Sequence, residues 1–183
     1  MRALLGLAAA TVAIGAAAAH GEKDKELDVE AIEIQRYDIH LAAYPKETYS
    51  QTYGGSIEVA CTLAVRNGGE EEIEEVPLCL HRLLEVQAAH TGAGEAITFR
   101  QEFGTHPHFG ARYQAKRVTL VLPQPLEGGE ELEVALQYGG PVCAYTEALA
   151  YVWDHVSPEF TLLRTEVGWF PIVSPAPSSP AGR

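Results

Sequence analysis

The run over residues 57–65 restricts the fold more than any other feature of this chain. Ile57, Val59, Cys61, Leu63 and Val65 alternate strictly with Glu58, Ala60, Thr62 and Ala64. Apolar residues at every second position mark an extended strand with one buried face; a helix would scatter them around its axis. The pattern recurs along the chain. Tyr37-Asp38-Ile39-His40-Leu41 carries it first and is stopped by Pro45, which has no N–H to give to a ladder. Val76-Pro77-Leu78-Cys79-Leu80, leading to Leu83-Leu84-Glu85-Val86, carries it again, as do Val118-Thr119-Leu120-Val121-Leu122 and the set Leu132, Val134, Leu136 and Tyr138. Beyond the first residues no segment sustains a helical period. Short strands separated by turn residues predict an all-β domain: a β-sandwich or saddle-like pair of open, antiparallel-rich sheets with few or no helices.

The connections are read from turn chemistry. Asn67-Gly68 predicts a tight turn, because both residues tolerate positive φ. The acidic residues 70–75 then form its solvated edge rather than a metal site. Residues 123–129 read as a turn-rich link closing a long hairpin, with Gly139-Gly140-Pro141 ending its second strand. Residues 88–114 are the least regular part, with Ile97-Thr98-Phe99 as a short strand among glycines. Tyr145, Tyr151, Trp153, Phe160, Trp169 and Phe170 form an aromatic cluster towards the end.

Met1-Arg2 supplies a basic start, and residues 4–19 are uncharged and Ala-rich, ending in small residues. This order is that of a secretory signal peptide over residues 1–19, too weakly hydrophobic for a permanent membrane span. The expected product is exported, periplasmic or extracellular, with no membrane attachment after cleavage. Residues 20–34 read as a flexible lead-in, 35–173 as the β domain and 174–183 as a Pro/Ser-rich tail or linker. A net charge of −12 disfavours nucleic acid and anionic lipid as partners. Cys61, Cys79 and Cys143 are an odd set, so at least one thiol is unpaired within a monomer. Their spacing fits neither a zinc ribbon nor a CxxC redox pair. They are expected as small buried residues, with a single disulfide as the alternative.

Catalytic motifs are mostly missing. There is no His-Glu-x-x-His, and His81 is followed by Arg82-Leu83-Leu84-Glu85, which supplies neither a second imidazole nor the acid in place. No Gly-x-Ser-x-Gly elbow presents a serine, and Gly92-Ala93-Gly94 lacks the Gly-Lys-Ser/Thr of a phosphate loop. His106 and His108 are the candidate metal pair, because side chains at i and i+2 share one side of a strand. A third ligand would have to come from distant His40, His90 or acidic residues, and the ordinary reading is a solvent-exposed loop. Asp154-His155 beside Trp153 reads as a loop ion pair or packed corner.

The order of these segments carries a resemblance. Gly54-Gly55-Ser56-Ile57-Glu58-Val59 leads into the long strand; Leu78-Cys79-Leu80-His81-Arg82-Leu83-Leu84-Glu85-Val86 follows. Then come Pro125-Leu126-Glu127-Gly128-Gly129-Glu130, Tyr138-Gly139-Gly140 and finally Glu166-Val167-Gly168-Trp169-Phe170-Pro171. The series over residues 35–173 resembles the saddle-shaped N-terminal β domain of zinc aminopeptidases of the aminopeptidase N type. The resemblance implies a domain that packs on a thermolysin-like catalytic domain, shapes its cleft and helps hold the substrate's free amino terminus. The zinc ligands and the Gly-x-Met-x-Asn strand of that family belong to the catalytic domain, so zinc is implied there and no cofactor is expected in this chain. The family's substrate-recognising Gln or Glu lies shortly before the aromatic-Phe-Pro corner. Here Glu166 stands in that stretch, the Gln has no counterpart, and Arg164 would oppose a cationic amine.

The expectation is therefore a non-catalytic scaffold or binding domain, not an enzyme on its own, whose partner is a catalytic domain, another protein or a peptide added to a strand edge. The alternative is a secreted immunoglobulin-like module that recognises carbohydrate or protein, stacking sugar on Trp153 and Trp169. Burial separates the two: core tryptophans fit a scaffold, and exposed coplanar rings fit a sugar site. A small metal carrier built on His106 and His108 is the third reading.

Overall fold

The alternating run becomes the interior of a sheet. The computed structural model describes residues 29–45, 55–107, 110–142, 155–158 and 161–174. After a 3-10 turn at Val29–Ala31 the strands run β1 Ile32–Tyr44, β2 Ser56–Asn67, β3 Ile73–Leu80, β4 Glu85–Thr91, β5 Thr98–His106, β6 Gly110–Leu126 and β7 Glu131–Pro141. Short pieces follow: β8 His155–Val156, β9 Thr161–Leu162, a 3-10 turn at Thr165–Val167, and β10 Ile172–Val173. Two four-stranded sheets result, ordered β1-β2-β7-β4 and β10-β3-β6-β5, with β8 and β9 as a separate pair. All pairings are antiparallel. The all-β, open-sheet expectation holds.

The inner faces supply the core. Ile57, Val59, Cys61, Leu63 and Val65 are all buried. On β7, Tyr138, Leu136 and Val134 lie opposite Val59, Cys61 and Leu63. The second sheet contributes Val76 opposite Leu120 and Leu78 opposite Val118, with Phe99 of β5 packed against the same cluster. Each such aliphatic side chain stabilises the fold by about 1.5–3 kcal/mol when fully withdrawn from water.

On the solvent faces the inner strands are roofed by ion pairs from their neighbours. Arg36 and Glu133 both align with Ala64 of β2, and their side chains meet above it at 2.6 Å, leaving Ala64 only 2% exposed. In the second sheet Arg100 of β5 reaches Glu75 of β3 with two bonds of 2.9 Å, crossing over β6. At the edge, Gln101 joins the sheets. Its amide accepts from Val86 N–H at 2.8 Å and donates to Val86 C=O at 2.9 Å, where β4 bulges between Val86 and Ala88.

Three expectations are corrected. Asn67-Gly68 is not a hairpin turn: among the described residues only glycines take positive φ, and Gly68 is not one of them. The chain instead crosses there from the first sheet to the second. Asn67 is buried, its Nδ2 donates to the carbonyls of Glu71 and Leu126 at 2.7 and 2.8 Å, and its Oδ1 accepts from Gly69 N–H at 2.9 Å. Its backbone bonds Glu130 C=O and Gly129 N–H, so the crossover is held by every polar group Asn67 has. Second, β6 and β7 are not a hairpin. Consecutive in sequence, they lie in different sheets, and β6 runs on through Pro125 to Leu126. Third, the irregular stretch is largely ordered strand: β5 pairs with β6 along its whole length, and Gly94 at φ +85 turns the chain before it. β1 also begins at Ile32, inside the stretch read as a lead-in.

Candidate functional site: the Trp169 corner

The segment at which the resemblance ends is built into both sheets. The 3-10 turn over Thr165–Val167 is entered from extended Arg164 and closed by Gly168, which adopts the left-handed conformation at φ 77 and ψ 39. A side chain is strained there, and a Cβ would stand 3.3 Å from the backbone nitrogen of His81. That closeness has a purpose: His81 N–H donates to Gly168 C=O at 2.7 Å. His81 is fully buried. Its Nδ1 accepts Leu83 N–H at 3.1 Å and its carbonyl accepts Leu84 N–H at 3.0 Å. His81 thus holds the turn after β3 through its buried imidazole and the glycine before Trp169 through its backbone N–H.

Beyond the glycine, Trp169 packs against the core and meets Phe170 edge-on, with centroids 5.1 Å apart at 67°. Phe170 in turn meets Tyr37 of β1 at 5.4 Å and 88°, and burial raises the Tyr37 hydroxyl above its ordinary range, helped by the nearby Cys61. Ile172 and Val173 then pair with Cys79 and Leu78, and Ser174 N–H reaches Pro77 C=O at 3.2 Å. The corner therefore spans the gap between β1 of one sheet and β3 of the other. Trp169 Nε1 is buried without an acceptor among the described residues.

Of the residues singled out from sequence, Glu166 lies in the 3-10 turn by its backbone, and its side chain is outside the described set. His106 is only 2% exposed, opposite Gly110 where β5 meets β6. That corrects the reading of a solvent-exposed loop: the long β5–β6 pairing carries His106 into a packed position. His108, Trp153, Asp154, Cys143 and residues 1–28 lie outside the described residues. Cys61 and Cys79 are free and buried. They stand on strands of different sheets, Cys61 within the core cluster and Cys79 beside Arg117.

The described residues do not fit a zinc site. His40 and His90 stand on β1 and β4, the two edges of the first sheet. Nδ1 of His81 is occupied by Leu83 N–H. Among the described residues no group of three or more His, Cys, Asp or Glu is placed to hold a metal ion. Sequence reading missed the His81–Gly168 pin and the Tyr37–Phe170 contact; the signal available was a lone glycine ahead of the aromatic pair and a histidine closing an apolar run.

No family model and no curated protein matches the chain. Solved structures do. It is similar to the M1 zinc metallopeptidase from Deinococcus radiodurans, at 26% identity and a TM-score of 0.43 over 60% of this chain and 20% of that one. A variant of that enzyme bound to a Tyr-Ser-Ala substrate aligns at 26% identity and 0.45, over 63% of this chain and 22% of that one. A two-domain M1 zinc metallopeptidase variant bound to L-tryptophan gives 27% and 0.44, over 61% and 21%. The chain spans about a fifth of the length of these zinc metallopeptidase structures.

Proposed function

We propose that this chain is a non-catalytic scaffold domain, akin in role to the N-terminal β domain of zinc aminopeptidases, that binds a separate catalytic domain and shapes the wall of its peptide-binding cleft. The observation that carries this reading is the construction of the Trp169 corner. Trp169 is packed on the core and stands at 67° to Phe170, which suits an anchor and not a sugar platform of exposed coplanar rings. The Glu166 backbone is held between the His81 pin and β10, so the turn is preorganised against the second sheet, as a cleft wall requires.

The test has two parts. The purified chain, supplied with zinc, is expected to release no product from aminoacyl substrates. Added to an M1-type catalytic domain made without its own N-terminal domain, it is expected to bind saturably. Phe170→Ala, which removes the bridge to Tyr37, should weaken that binding while the core remains folded. Robust turnover by the chain alone would overturn the proposal, as would failure to bind any such catalytic domain.

A further inference from the structure

β1 is the edge of the first sheet, and among the described residues nothing pairs with its free side. An exposed strand edge is a template for another strand, and chains that must avoid pairing blunt it with bulges, prolines or inward-pointing charges. β1 has one such device, the bulge between Ile34 and Arg36. Past it the strand runs regularly to Tyr44, paired without interruption to β2, with no proline before Pro45 and no charge on its inner face.

That stretch is also self-complementary. Tyr37, Ile39 and Leu41 align with the buried Leu63, Cys61 and Val59, so they belong to the inner face. Yet Tyr37 and Leu41 remain 36% and 37% exposed, an apolar margin flanking Ile39 on both sides. Asp38 and His40 project from the other face, 85% and 65% exposed for imidazole and carboxylate respectively and 3.6 Å apart.

We infer that β1 pairs antiparallel with β1 of a second copy of this chain, across a two-fold axis at Ile39. In that register Tyr37 faces Leu41 of the other copy, and Asp38 faces its His40. Each contact occurs twice, and the two sheets become continuous. An isologous interface requires that a patch complement itself under rotation, which the order Tyr37-Asp38-Ile39-His40-Leu41 does on both faces. Moving the axis by one residue to Asp38 would set Asp38 against Asp38 and Arg36 against His40, and moving it to His40 would set His40 against His40 and Asp38 against Ala42; of the three, only the axis at Ile39 pairs carboxylate with imidazole.

Sedimentation velocity over a concentration series tests this on the full chain, Asp38→Lys, His40→Asp, and the swap Asp38→His/His40→Asp. The parent should dimerise with concentration. Each single change sets like or mismatched charges across the axis twice, weakening association by about tenfold or more. The swap should restore dimers, because each new pair is again carboxylate against imidazole. Both positions are exposed, so melting temperatures near the parent's will show that the variants fold. In a second measurement, an equal mixture of Asp38→Cys and His40→Cys chains should form the mixed disulfide in preference to either homodimer. A parent that stays monomeric, a dimer indifferent to the single changes, or a swap that fails to restore association would each overturn the proposal.

Discussion

Two polar devices at residue scale look alike and differ in weight. Arg36 and Glu133 close over Ala64 at 2.6 Å, but both side chains are about half or more in solvent. Exposed pairs of this kind contribute roughly 0–1 kcal/mol, because water screens the attraction and ordering two long side chains has an entropic cost. Arg36→Ala is therefore expected to cost less than about 1 kcal/mol in denaturant unfolding. Asn67 makes three side-chain hydrogen bonds at a fully buried position. Asn67→Ala leaves two carbonyls and an N–H without their partner, and should cost about 2–4 kcal/mol at unchanged denaturant slope. Asn67→Asp should be at least as damaging, since a carboxylate cannot donate to Glu71 and Leu126 and would be buried with its charge. An Asn67→Asp variant as stable as the parent would show that the crossover does not depend on this amide.

Among the elements, the readable strands are those whose inner row is apolar without exception, such as Ile57 to Val65 of β2 and Leu132 to Tyr138 of β7. β5 was legible only at its start. Its inner row, aligned with Leu120, Val118 and Lys116 of β6, is Phe99, Gln101 and Phe103, and the glutamine breaks the apolar pattern that marks a strand. That residue is polar because it serves as a backbone partner for Val86 where the bulge interrupts β4. Gln101→Leu should thus leave β5 in place but expose β4: amide exchange at Val86 is expected to accelerate relative to the β2 amides. Uniform exchange across both strands would refute the clamp. Pairing partners were less legible than strands, because β6 and β7 carry the same alternation whether they meet in one sheet or face each other across the core. The Trp169 corner was visible as a motif, whereas His81 and Tyr37, which hold it, are distant in sequence and marked by nothing local.

At the scale of the whole molecule, the groups that set the response to alkali include, among the described residues, the buried Cys61, Cys79 and Tyr138. Burial pushes the Cys61 thiol from 9.0 up to about 12, with a further upward contribution from the Asp38 charge. Burial takes Cys79 from 9.0 up to about 11, against a lowering contribution from Arg117. The Tyr138 hydroxyl is also raised, first by burial and then by Cys61 and Tyr37. An acid whose pKa is higher folded than unfolded holds its proton in the native state after the unfolded chain has released it. The unfolded state then binds fewer protons, so stability falls as pH rises through the window between the two values. For Cys79 that window runs from 9.0 to about 11 and for Cys61 from 9.0 to about 12. Within it each thiol contributes a slope of about 1.4 kcal/mol per pH unit. Unfolding free energy is therefore expected to be nearly flat between about pH 7 and 8.5 and to decline above 9. Cys61→Val is close in volume and suited to a strand interior, and it should reduce the decline by one thiol's share; adding Cys79→Val should reduce it again. Equal slopes for parent and double variant would mean that these thiols do not titrate with unfolding, and the loss at high pH would then belong to Tyr138 or to the ionised surface.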